Sequence, residues 1–260
     1  MFTVEFRRKM AELPQRDRLA WLASLAERTR PGDEGLLAQE LREVARGCRL
    51  ELVEAVEKQL GPFDRRQLNA LLEVPRERFV RPEDVAHSAD DTPLPLDDQG
   101  LATISAPHAY LLSFRLLDLA PGDSLVELGS GSGYGAALAA FIVGADGRVL
   151  TFEIDATLAA WARRNLAAER NVTVVEGDAV RSAERWGGAR KVVCTFAVDE
   201  LPRAWVDALP EGGVIVAPVG PGERERDRDQ RLVRVARTRG RVVTTDHGAV
   251  RYVKNRSGGR

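Results

Sequence analysis

From Ser124 onward the apolar positions fall into short continuous runs, and between them lie stretches with helical spacing. The runs are Leu125-Val126, Val149-Leu150, Val172 to Val175, Val192-Val193-Cys194 and Val214-Ile215-Val216-Ala217. A strand buried on both faces reads as such a run, and single helices between runs make parallel crossovers. Helices are expected from Ala136 to Ala140, around Leu158 to Ala168 and around Leu201 to Ala208. The predicted fold is α/β, a doubly wound, mostly parallel sheet. After it, Arg231 to Arg237 and Arg241 to Thr245 flank Gly240 as a C-terminal antiparallel hairpin, with Val250 to Val253 as a further edge.

The first 60 residues follow a different rhythm. Leu19, Trp21, Leu22, Leu25 and Ala26 share one helical face. Beyond a break at Pro31-Gly32, Leu37, Leu41 and Val44 continue the pattern, followed by Leu52, Val53, Val56 and Leu60. Residues 1–60 are therefore expected to form a helical N-terminal extension and residues 61–260 the main domain. The extension is either a helical layer packed on that domain or a surface for dimerisation or docking. Past Gly61-Pro62, Asp64 is expected to cap a short helix while Gln67 reaches back, and Val74 to Pro82 and the proline-rich Asp91 to Leu96 to form an extended, loop-like approach.

Composition narrows the function. A hydrophobic content of 44% supports a real core, and a formal net charge of −1 gives no broadly basic surface for nucleic acid. The alternating charges from Glu223 to Arg231 read as a solvated loop. Cys48 and Cys194, with His87, His108 and His247, make neither a disulfide framework nor a metal-ligand spacing. No metal is expected. The N-terminus has neither a secretory core nor a membrane span, so a cytoplasmic protein is expected.

The candidate chemistry centres on Ser124-Leu125-Val126-Glu127-Leu128-Gly129-Ser130-Gly131-Ser132-Gly133-Tyr134-Gly135. Here a strand feeds a helix through a loop almost without side chains, over which a cofactor can lie. Free N–H groups and the helix dipole would favour a carboxylate or phosphate. A dinucleotide fold uses a similar loop, but it wants glycine or alanine where Tyr134 stands. Glu127 directly before the glycines instead resembles the loop of S-adenosylmethionine-dependent methyltransferases. Strand-end logic places Glu127, Glu153 and Asp178 around one crevice. Glu153 could accept both ribose hydroxyls, and Asp178, in Gly177-Asp178-Ala179, follows the third strand.

Three motifs then agree in order and spacing: Val74-Pro75-Arg76-Glu77-Arg78-Phe79-Val80, Thr103-Ile104-Ser105-Ala106-Pro107-His108, and the glycine loop. Together they resemble the protein-L-isoaspartate (D-aspartate) O-methyltransferase family over roughly residues 50 to 253. The resemblance implies S-adenosyl-L-methionine as cofactor, held by Glu127, Gly129, Ser130, Gly131, Gly133, Tyr134, Glu153, Ile154, Gly177, Asp178 and Ala179. It implies a protein or peptide carboxylate as acceptor, with isoaspartyl esters lost on closure to a succinimide, restarting repair. Neither nucleic acid nor membrane is an expected partner.

Methyl transfer to a carboxylate needs positioning and exclusion of water more than acid–base help. Thr103 and Ser105 can orient the acceptor, and the resemblance puts Ser105 nearest the substrate; on the residues alone Ser105 is equally a helix cap. His108 is either catalytic or a structural hydrogen-bonding histidine. The acceptor side departs from the family at Phe196-Ala197-Val198-Asp199 and Val253-Lys254-Asn255, which leaves open a different carboxylate acceptor or a non-catalytic cofactor-binding module.

Overall fold

The apolar runs become the strands of one seven-stranded sheet in a computed structural model that describes residues 10, 12–26, 34–181, 183–186, 188–221 and 230–256. The Pro31-Gly32 break and the charged run from Glu223 fall outside the described residues, apart from Gln230 and Arg231 at its end. The chain enters through helices α1 (Gln15–Ala26), α2 (Glu34–Leu60) and α3 (Arg65–Glu73). A two-stranded ribbon of β1 (Leu94–Pro95) and β2 (Thr103–Ile104) and helix α4 (Pro107–Leu116) follow. Then β3 (Ser124–Leu128), α5 (Tyr134–Val143), β4 (Arg148–Glu153), α6 (Ala156–Asn165) and β5 (Val172–Glu176) alternate. The second half runs α7 (Ala183–Trp186), β6 (Lys191–Cys194), α8 (Arg203–Ala208), β7 (Val214–Val219), β8 (Arg231–Thr238) and β9 (Arg241–Ala249).

The strand order is β5-β4-β3-β6-β7-β8-β9, parallel from β5 to β7 and antiparallel at β8 and β9. Side chains of the central strands alternate between two cores. Leu125, Val149, Val193 and Val216 point to α3, α4, α5 and α6 and to the second half of α2. Val126, Phe152, Val192 and Ile215 point to α7 and α8, where Trp186 and Trp205 meet edge to face. A separate small cluster joins Leu19 of α1 to Ala45 and Cys48 of α2 and to Ala89.

Several local expectations change. Asp64 does cap α3, accepting the Arg66 N–H at 2.8 Å, but Gln67 is buried and no back-bond to the cap is made. The first stretch expected to be extended, Val74 to Pro82, contains a 3-10 turn at Arg76–Arg78, and a second 3-10 turn, Pro82–His87, follows it. Val250 to Val253 adds no edge to the hairpin. Gln230 holds Val250 and Tyr252, after which the chain crosses the sheet end and bridges Ala197 in parallel through Lys254.

Candidate active site

Moving out from β3, the chain builds β4 and β5 on one side and then returns to place β6 on the other. At such a reversal the connections leave in opposite directions and open a crevice beyond the carboxyl ends of the strands. An open crevice is found there, with about 580 Å³ of free space counting its solvent-facing mouth. Gly129 and Gly131 line it after β3, Phe152, Glu153 and Ile154 at the end of β4, Gly177, Asp178 and Ala179 after β5, and Thr195 and Phe196 after β6. Leu101, Ala102, Thr103 and the tail from Val253 to Arg256 close the remaining side.

The glycine loop is shaped by what a side chain would strike. Gly129 sits at φ +100°, and a Cβ there would collide with Thr195 Oγ1 and stand 3.0 Å from Phe196 Cδ1. Gly131, at φ +53°, would press a Cβ to 2.9 Å from Leu96 Cδ1. Contrary to the expectation of free N–H groups, the loop is tied inward. Gly129 and Ser130 both donate to the Phe152 carbonyl at 2.9 Å, and Gly131 donates to Glu153 Oε2 at 2.7 Å. The loop is therefore a bare backbone floor, and its first N–H groups form no anion nest.

Glu153 ends β4 with its second oxygen accepting the Asp155 N–H at 3.1 Å. Burial raises its proton affinity, and the N–H donors of Asp155 and Gly131 work against that rise. Asp178 caps the next turn through Val180 N–H at 2.9 Å and lies 3.5 Å from Arg181. Ile154 is 41% exposed, an apolar surface beside these carboxylates.

Some expected ligands have other work. Glu127 lies beneath the loop, 1% exposed, and Gly135 has no Cβ that would strike its carboxylate. Thr151 Oγ1 donates to Glu127 Oε2 at 2.6 Å and meets Ser130 Oγ at 2.5 Å, so Ser130 and Glu127 share a buried network. Burial pushes Glu127 up to about 8; the Thr151 hydrogen bond opposes this and the Glu153 charge adds to it. Tyr134 faces the core, 5.4 Å from the Phe79 ring and 5.5 Å from Tyr110, because helix α5 turns its first residue inward. Gly133, at φ +97°, packs against Leu166. The side chains of Glu127, Ser130 and Tyr134 thus shape the loop from behind and do not line the crevice.

On the acceptor side only Thr103 of the three catalytic candidates lines the crevice. Ser105 is buried, donates its N–H to Tyr110 Oη at 3.2 Å, and is no helix cap, since Ala106 occupies that position without a side-chain bond. His108 is locked to Asp91, which accepts the His108 N–H at 3.0 Å and meets Nδ1 at 2.9 Å. Burial alone would raise Asp91, but these His108 contacts outweigh it and hold the carboxyl below its ordinary value.

The sequence model of the family described as protein-L-isoaspartate(D-aspartate) O-methyltransferase matches residues 49–258. The chain belongs to this family. A protein-L-isoaspartate O-methyltransferase of Pyrobaculum arsenaticum is 38% identical over 206 residues, covering 78% of this chain and 96% of that relative. Protein-L-isoaspartate O-methyltransferase 2 of Archaeoglobus fulgidus is 37% identical over 209 residues, covering 79% of this chain and 91% of the relative. Among solved structures, a protein-L-isoaspartate O-methyltransferase superposes with a TM-score of 0.70 at 26% identity. That match covers 79% of this chain and 65% of the other, just under two thirds of its length. A Plasmodium falciparum structure containing S-adenosyl-L-homocysteine shares the fold, with a TM-score of 0.67 at 23% identity.

Two crevice-lining residues, Thr195 and Arg256, were not expected from the sequence. Thr195 ends the strand run from Lys191, so strand-end logic carried to β6 would have found it; its hydroxyl donates to the Gly129 carbonyl at 2.6 Å. Arg256 gave no signal among the charged residues of the tail, yet it bonds Asp97 at 2.6 Å. The departures at Phe196, Lys254 and Asn255 do fall on the crevice wall, and Lys254 pairs with Asp199 at 3.1 Å.

Proposed function

We propose that this protein is an S-adenosyl-L-methionine-dependent carboxyl methyltransferase whose acceptor is the free carboxylate of L-isoaspartyl residues in damaged proteins. The observation that carries this reading is one of register: every crevice residue, from Leu101 to Arg256, falls within the stretch matched to the family. The residues present fit the cofactor. The Glu153 carboxylate accepts backbone N–H groups, among them Gly131 at Oε2 and Asp155 at Oε1, and keeps capacity for a ribose hydroxyl. Phe152, Ile154 and Leu158 offer apolar surface to a base, with Asp178 beside them.

The cofactor supplies an activated methyl group on a sulfonium, so no general acid is required at the donor. The chain's own work is orientation. Thr103 presents a hydroxyl to the acceptor carboxylate, Phe196 and the tail exclude water, and the glycine floor holds the donor against the sheet end. Ser105 and His108 act one step back, by fixing the loop that carries Thr103.

The chain divides, on this reading, into a helical extension of residues 1–60 and a methyltransferase domain of residues 61–260. Residence in the cytoplasm suits its two free cysteines, Cys48 and Cys194. Among the described residues no helix is long and apolar enough to cross a membrane. The extension as a dimer or docking surface remains a separate proposal, tested by sedimentation of the intact chain. Incubation with labelled methyl donor and an isoaspartyl peptide beside its aspartyl twin tests the activity. Base-labile label on the isoaspartyl peptide alone is expected, and equal or absent labelling of both would overturn it. Lys254, on the crevice wall and paired with Asp199 outside it, favours a second reading, a different carboxylate acceptor, which the same assay would reveal as donor binding without isoaspartyl labelling.

A further inference from the structure

The family match begins at residue 49, so α1 lies outside it, yet α1 packs on the segment that leads into the acceptor side. Leu19 is 2% exposed and packs with Ala45, Cys48 and Ala89. Three residues earlier, Arg16 grips Asp90, Nε lying 3.0 Å from Oδ2 and 3.3 Å from Oδ1. His87 Nδ1 meets the same carboxylate at 3.0 Å. An ion pair as exposed as Arg16 is weak alone, so the buried Leu19 is the main anchor and Arg16 sets its register.

Ala89 and Asp90 belong to residues 88–92, whose carbonyls converge on one guanidinium. Fully buried Arg76 donates through Nη1 to Ser88 O at 3.1 Å and Asp90 O at 2.9 Å. Through Nη2 it donates to Thr92 O at 2.7 Å and to Ser105 O at 3.1 Å. Between them, Asp91 takes the N–H and ring of His108. One stretch of five residues therefore fixes both ends of the Ser105–His108 turn. The same turn continues directly from β2, whose Thr103 lines the crevice, and Leu96, the residue after the partner strand β1, lies against Gly131.

We propose that α1 is a positioning brace for the methyl acceptor: Leu19 and Arg16 hold residues 88–92 so that Arg76 and Asp91 can set the turn behind Thr103. This rests on the methyltransferase reading for its kinetic test but not for its structural one. Among the described residues the hydrogen bonds of this assembly stay on the acceptor side, and Arg76 meets the glycine motif only over the buried Tyr134 ring at 5.9 Å, so loosening the assembly should separate acceptor from donor.

The test uses the full chain carrying Leu19→Ala with Arg16→Ala and, separately, Asp90→Asn, which removes the ion pair from the other end, keeps the Leu19 packing and should give a smaller effect in the same direction. Acceptor KM for an isoaspartyl peptide should rise about 5–20-fold, while donor affinity by calorimetry stays within about twofold. Backbone amide exchange should accelerate at Ser105 and His108 and stay unchanged at Gly131, and Arg16→Lys with Leu19 intact should change little. Unchanged exchange at Ser105 and His108 in both variants would overturn the brace, as would equal losses of donor and acceptor binding. If the wild-type chain labels no isoaspartyl peptide, the activity reading fails, and the exchange pattern still decides the brace.

Discussion

The two walls of the crevice are built on different principles. The donor wall comes from three short windows of sequence, 127–135, 151–155 and 176–180, each a strand end with its turn. Within them the polar groups largely satisfy one another: Gly131 with Glu153, Ser130 with Thr151, Thr151 with Glu127, and Asp178 with Val180. The acceptor wall is assembled from distant pieces. Arg76 reaches Ser105, the Lys254 segment reaches Ala197, and Arg256 reaches Asp97. A site built locally tolerates change elsewhere in the chain, whereas one built from long-range contacts can vary in specificity while the fold persists.

The sharpest way to break this contrast is to attack the floor. In Gly129→Ala the new Cβ meets Thr195 Oγ1 in a backbone conformation that L residues rarely adopt. Strain of about 1–3 kcal/mol, together with that collision, should cost donor affinity on the order of 100-fold, read by calorimetry beside a melting curve. Next in size, Glu153→Ala removes the carboxylate that bridges Gly131 and Asp155. Loss of charge-assisted bonds of about 1.5–3 kcal/mol predicts donor binding weaker by roughly 10–150-fold.

On the other wall, Thr103→Val should leave donor affinity near normal and slow transfer by about tenfold, as expected for an orienting group felt at the reacting centre. Single-turnover transfer at saturating donor would measure it.

The smallest effect concerns pH. Glu127 binds its proton more tightly in the folded protein, at about 8 against an ordinary 4.5, so the native state holds more protons than the unfolded chain between those values. Stability should therefore fall as pH rises through that window. Glu127→Gln removes this contribution and should shrink the drop in melting temperature between about pH 6 and pH 8 by a few degrees. Glu153, also raised by burial, keeps the remainder.

What the sequence disclosed follows the same division. Strands β3 to β7 were legible because apolar runs and single intervening helices leave few alternatives. Gly129, Gly131, Glu153 and Asp178 were legible because each stands at the end of a strand or in the turn after it, where a parallel sheet opens its crevice. Tyr134 misled for a geometric reason: its place in the glycine motif says nothing about which way the first turn of α5 aims its side chain, and that is into the core against Phe79 and Tyr110. Arg76 was invisible as a hub, because a fully buried arginine bonded to four carbonyls looks, in sequence, like any exposed one. Ser105 read equally as a cap or as an acceptor-orienting residue, and the start of α4 after Ala106 removes the cap.

The most direct test of the two-wall account is one paired experiment, donor titration followed by single-turnover transfer to an isoaspartyl peptide, run on Glu153→Ala and Thr103→Val. The account predicts that Glu153→Ala loses donor affinity but, once saturated, transfers at close to the wild-type rate. Thr103→Val should bind donor normally and transfer slowly. If both variants lost donor affinity and rate in the same proportion, the walls would not be separable and the assignment of Glu153 to the donor and Thr103 to the acceptor would be contradicted.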